Sequence, residues 1–124
     1  MRTWRAVVAG TGQALLERVA VAEIGWQRVR GLMFRKELPE DEGLLIPGCS
    51  SIHMFFMRFP IDLVYLDDED CVVRIVDGIK PWRLSACRGA RSVLEMAAGR
   101  AREAQLQAGD RLRFERRAAS GEGG

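Results

Sequence analysis

The residues best suited to chemistry gather in one stretch, GCSSIHMFFMRFPIDLVYLD (48–67), which holds Cys49, His53, Arg58 and Asp62. A thiolate beside an imidazole does nucleophilic chemistry, the histidine lowering the thiol's pKa. Here a spacing of four, in a loop opened by Pro47-Gly48, fixes no geometry. No glycine-rich nucleophile elbow is present to build an oxyanion hole. Zinc takes three or four protein ligands, so one Cys/His pair predicts neither a metal nor a cofactor. An enzyme using Cys49 and His53, or the carboxylates Asp62 and Glu95, is the alternative reading and not the leading one.

Asp62 is the more informative residue. In IDLVYL, period-two alternation puts Ile61, Leu63 and Tyr65 on one face and Asp62, Val64 and Leu66 on the other. Whichever face is inside, the carboxylate has apolar neighbours and must be paired or hydrogen-bonded. Three roles remain open: a brace with Arg58, a cap on backbone N–H groups, or an acid facing a ligand. The structural roles are the expected ones. Met54, Phe55, Phe56, Met57 and Phe59 cannot all point inward from one extended strand, so at least one or two line a groove, an interface or the underside of a loop.

Other candidates are weaker. Asp67–Asp70 lacks the glycine and distal glutamate of a calcium loop and reads as a solvated hairpin turn. Trp82 and Arg83, in Lys80–Pro81–Trp82–Arg83, are either recognition residues or a lid over one end of the fold. Arg111, Arg113, Arg116 and Arg117 have only Phe114 nearby, which favours a charge-protected edge strand over a nucleic-acid surface. Gly109-Asp110 reads as a tight structural turn, with Asp110 bonding neighbouring N–H groups.

The elements that must position these residues are short. WRAVVA (4–9) and LLERVAVA (15–22) flank the turn residues GTGQ and predict an amino-terminal hairpin. Trp26, Val29 and Met33 recur at helical spacing, which predicts a main helix over about 24–35, ended before Pro39. Gly31 inside it costs about 1 kcal/mol relative to alanine, so a close backbone packing would compensate. Pro60 separates an extended segment from the strand IDLVYLD, which CVVRIVD (71–77) pairs as a hairpin. SVLEM (92–96) and RLRFE (111–115) are further strands, with a short helix over about 99–106 that Gly109 caps. The sum is an α+β, mainly β fold: a small antiparallel barrel-like sheet in one domain over 1–117, then a disordered tail over 118–124.

Three blocks in this order, RGLMFRKELPEDEGLLI, HMFFMRFPIDLVYLD and the VLEM–AAG–GDRL ending, resemble the domain of unknown function 192 family of bacterial and archaeal proteins. The likeness runs from about Val19 to Phe114. It implies a compact, mainly β domain whose helix carries the R-G-L-M-x-R block, and implies no activity, since none is established for the family. Many relatives have W-M-K where this chain has Phe56–Met57–Arg58, and many carry an export signal.

Composition narrows the remaining choices. The 124 residues are 48% hydrophobic and 29% charged, with a formal charge of +2, too small by itself to imply a nucleic-acid or membrane partner. Three cysteines without CxxC spacing predict no disulfide framework. MRTWRAVVAGTGQALLERVAVAE is interrupted by Arg5, Glu17 and Arg18 before any apolar core reaches signal-peptide length, so a cytoplasmic protein is expected. The leading reading is a noncatalytic domain that binds a small ligand or a peptide, or acts as an accessory. Its candidate site is His53, Met57, Arg58 and Asp62, joined by Trp82 and Arg83. A structural or protein-interaction module is the third reading.

Overall fold

The computed structural model describes residues 3–22, 37–55 and 57–117. The helix expected over 24–35, with Gly31, and the tail over 118–124 lie outside the described residues. Among the described residues there are nine strands and one helix: β1 (Thr3–Val8), β2 (Ala14–Val21), β3 (Glu42–Pro47), β4 (Ser51–His53), β5 (Ile61–Leu66), β6 (Val72–Ile79), β7 (Leu84–Ala86), β8 (Ser92–Ala97), α1 (Arg100–Glu103) and β9 (Leu112–Arg116). Seven strands form one sheet in the order β6-β5-β8-β3-β2-β1-β9, and among the described residues β4 pairs with β7 in a separate ribbon.

The sheet is mostly antiparallel, with one parallel pair among the described strands. β2 and β3 run parallel, Val19 opposite Gly43 and Ala20 opposite Leu44. Parallel neighbours need a crossover, and residues 22–41 supply the length that a hairpin would not require. The sheet also does not close into a barrel along its edges. Instead β6 and β9 meet at a corner, where Cys71 bridges Arg111, Val72 N–H donates to Asp110 O (2.7 Å) and Leu112 N–H donates to Asp70 O (2.9 Å). These bonds occupy edge groups that would otherwise be open to another chain.

β5 and β8 lie inside the sheet and are buried on both faces. On one face Val64, Leu66, Leu94 and Met96 join Leu15, Leu16, Ala101 and Leu112. On the other, Ile61, Leu63, Tyr65 and Val93 join Leu44, Ile46, Met54 and Met57. The β5 alternation is therefore kept, with apolar cover on both sides. Gly43 packs closely against Leu16 and Leu94 of the first face. A Cβ there would lie 2.6 Å from Leu16 Cδ1 and 2.9 Å from the Glu95 carbonyl oxygen. A leucine methyl can turn away, but a ladder carbonyl cannot. Gly43→Ala is expected to lower stability by about 2 kcal/mol, read as a drop in the urea midpoint.

The short helix is shorter than the sequence implies. α1 spans Arg100–Glu103, and Gln105 already has a left-handed φ of 58°. Gly109 (φ 97°) is not its cap; its N–H donates to Val72 O (2.8 Å), so it serves the β6–β9 corner. Asp110 Oδ2 accepts the Gln107 N–H at 2.8 Å, closing the turn before β9.

Candidate functional site

Asp62 is fully buried and accepts three backbone N–H groups: Gly78 at Oδ1 (2.8 Å), and Gly99 (3.1 Å) and Ala101 (3.0 Å) at Oδ2. Gly78 and Gly99 both have left-handed φ, 58° and 90°, which turns their N–H groups toward the carboxylate. One side chain thus fastens β5 to β6 and to the first turn of α1. Arg58 is exposed and takes no part in this arrangement. The brace between Arg58 and Asp62 is replaced by a cap on backbone donors, and the carboxylate has no ligand-facing side.

Cys49 and His53 each make a local bond and none to one another. The Cys49 thiol donates to Ser51 O (2.9 Å), while His53 Nδ1 accepts the Phe55 N–H (3.4 Å). The Cys49 sulfur and His53 Nδ1 are thus each engaged by a backbone group two residues on. Among the described residues no group of three or more His, Cys, Asp or Glu is placed to hold a metal ion. Asp67 Oδ1 accepts the N–H groups of Glu69 and Cys71, both at 2.9 Å, so this carboxylate closes the acidic hairpin turn.

What the fold does assemble is the β4–β7 ribbon. His53 stands opposite Leu84 in its ladder. Beyond the last pair, Met54 N–H donates to Arg83 O (2.8 Å) and Trp82 N–H donates to Met54 O (2.7 Å). These bonds hold Trp82 at φ 66°, a conformation that non-glycine residues adopt at a penalty. Its ring stacks on Phe55 (centroids 5.6 Å apart, 29° between planes), and Phe55 leans on His53 (4.9 Å). Phe55 is 38% exposed, Trp82 58% and Leu84 71%. Met54 and Met57 point the other way, into the apolar layer beneath. Tyr65 pins the ribbon to the sheet, its hydroxyl 2.7 Å from Ser85 Oγ. Burial pushes that hydroxyl's pKa up, against the lowering effect of the Ser85 bond.

Of the sequence candidates, His53, Trp82 and Arg83 therefore come together on the ribbon. Arg58 is exposed in the connection before Pro60, whereas Met57 and Asp62 are buried. Phe55 and Leu84 belong to the surface without having been singled out as site residues. The signal for them was the acid-free run around each. Residues 43–61 and 78–94 contain no Asp or Glu, yet carry Arg58, Lys80, Arg83, Arg88 and Arg91, all exposed. Of the 19 basic residues these are five, leaving 14 against all 17 acids in the rest of the chain. Asp77, which adjoins the second run, faces Arg102 (3.9 Å).

A second unusual group lies under this surface. Glu95 stands opposite Leu44 on one side and Leu63 on the other, and is 6% exposed. Among the described residues nothing donates a hydrogen bond to its carboxyl. Burial alone pushes its pKa up to about 7.

The seven-stranded sheet with a detached two-stranded ribbon defines a mainly β domain with an external aromatic surface, and solved structures share its shape. One, from Sinorhizobium meliloti 1021 and described as a proposed transcription regulator, superposes with a TM-score of 0.79 at 26% identity, covering 91% of this chain and 92% of that one. Another, a protein of unknown function from Novosphingobium aromaticivorans DSM 12444, gives 0.78 at 25% identity, covering 88% and 83%. The family model DUF192, described as "Uncharacterized ACR", matches residues 6–114, and the chain belongs to that family. Among archaeal relatives, the UPF0127 proteins of Thermococcus sibiricus and Thermococcus kodakarensis are 30% and 33% identical, over 84% and 80% of this chain. The aligned parts make up 70% and 66% of those proteins, about two thirds of their length.

Proposed function

We propose that this domain is a noncatalytic binding module whose recognition surface is the β4–β7 ribbon. The observation that carries this reading is Trp82, held at a left-handed φ by backbone bonds and stacked on Phe55 while more than half exposed. A large aromatic kept in solvent at a conformational penalty adds little to stability, and such strain gathers at functional positions. The absence of a paired nucleophile and base among Cys49, His53 and Asp62 weighs against the enzyme reading. The free thiols of Cys49, Cys71 and Cys87 support a reducing compartment such as the cytoplasm. Among the described residues no helix is long and apolar enough to cross a membrane.

The test is a thermal-shift screen across metals, nucleotides, sugars and peptides, on the wild type and on a Trp82→Ala, Phe55→Ala double variant. A ligand at a hundred times its dissociation constant adds about 2.7 kcal/mol of stability. A shift seen in the wild type and lost in the double variant supports the reading. A flat screen, or a shift that survives the double substitution, counts against it.

Trp82→Gly separates stability from recognition. Glycine adopts a φ of 66° without penalty, so this variant is expected to match or exceed the wild type in stability, by up to about 1 kcal/mol. Any binding at the ribbon should be lost with the ring.

A further inference from the structure

Taking the ribbon as the recognition surface proposed above, we infer that its occupant is an acidic, extended peptide segment carrying one apolar side chain. Three observations converge on this chemistry. The first is charge. The two segments that build the ribbon contribute Arg58, Lys80, Arg83, Arg88 and Arg91, all exposed, and no acid. Arg74 of β6 adds another guanidinium, its Nη1 donating to Ala86 O (3.2 Å). Such a one-sided field attracts carboxylates and repels basic partners.

The second observation is the apolar surface. Leu84 is exposed and stands opposite His53, whose ring contacts Phe55, so the ribbon carries an aliphatic side chain along with its aromatic ones. That suits one leucine, methionine or aromatic side chain of a partner.

The third is the backbone edge. Cys87 N–H donates to Ser50 O and Met54 N–H to Arg83 O, which sets the alternation of the ladder. Residues Ser50, Ile52 and Met54 then pair through hydrogen bonds, and His53 and Leu84 form the intervening pair. The N–H and C=O groups of His53 and Leu84 are accordingly directed away from the partner strand. Extended peptides add to such edges through main-chain bonds.

These features favour a peptide over single-stranded nucleic acid. A nucleic-acid platform presents separate ring faces to successive bases. Here Phe55 stacks on Trp82 and tilts against His53, with centroids 5.6 and 4.9 Å apart, so the rings contact each other and are not spaced for successive bases.

The test pans a displayed library of random dodecapeptides on the full chain, then measures selected peptides by fluorescence anisotropy. A twelve-residue oligothymidylate is the competing probe. The expected pool is enriched in Asp and Glu around an apolar residue. Its peptides should bind at least tenfold more weakly to Arg83→Glu/Arg91→Glu and to Trp82→Ala, and more weakly again at 0.5 M salt. Unchanged thermal midpoints of these surface variants will show that the fold is intact. A pool that depends on Trp82 but has no acidic excess overturns the acidic class and leaves the binding reading standing. A tighter Trp82-dependent affinity for the oligothymidylate does the same. A pool that binds Trp82→Ala as well as the wild type, or no enrichment, overturns both.

Discussion

Asp62→Ala is expected to lower the unfolding free energy by about 4 kcal/mol, since each hydrogen bond to a charged acceptor contributes about 1.5–3 kcal/mol. The carboxylate accepts three N–H groups from two elements. Ala101 is buried, so its N–H would lose its partner without gaining water. The glycine N–H groups are less enclosed and recover part of the loss by hydration. Asp62→Asn keeps one acceptor oxygen and should cost about half as much. Equilibrium urea unfolding will measure both. Hydrogen exchange gives a second readout: the amides of Gly78, Gly99 and Ala101 should lose protection together in Asp62→Ala. A loss below 1 kcal/mol would show that the three bonds do not hold these elements.

Glu95 governs the second large effect, which is a dependence on pH. Its carboxyl has a folded-state pKa of about 7, against 4.5 when exposed to water. Between those values the folded state holds a proton that the unfolded state has released. Stability therefore falls as pH rises from 4.5 to 7, and levels off above the folded pKa. The shift corresponds to about 3 kcal/mol. Glu95→Gln removes the ionisation while keeping the size and a neutral polar end. It should match the wild type near pH 4 and exceed it by about 3 kcal/mol at pH 8, or about 10 °C in melting temperature. The difference between the two proteins isolates Glu95 from every other titrating group. Parallel pH profiles would mean that the carboxyl is not desolvated as the fold implies.

Local signals in the sequence carried most of the large sheet. The alternation in Ile61–Leu66, the turn before β6 and the GTGQ hairpin are all set by residues within a few positions of one another. What escaped a reading of the sequence depends on distant partners. β4 and β7 are three residues each, too short for a periodic pattern, and they exist because residues about thirty positions apart pair. The left-handed Trp82 has no signature, because tryptophan shows no preference for that conformation. For Asp62 the burial was legible and the partners were not. Its bonds reach 16 to 39 residues along the chain. Arg58, the cation nearest in sequence, points to solvent.

The pairing of β1 with β9 has a consequence for synthesis. Trp4 lies opposite Arg116 and Val8 opposite Leu112, so β1 waits for a strand made much later. On the ribosome, β1 and β2 have their hairpin early, but the outer edge of β1 stays unsatisfied until residue 116 has left the exit tunnel. Contacts of such wide sequence separation also slow folding once the chain is free. A nascent chain therefore carries an open β1 edge, able to pair with another strand, for as long as β9 is missing.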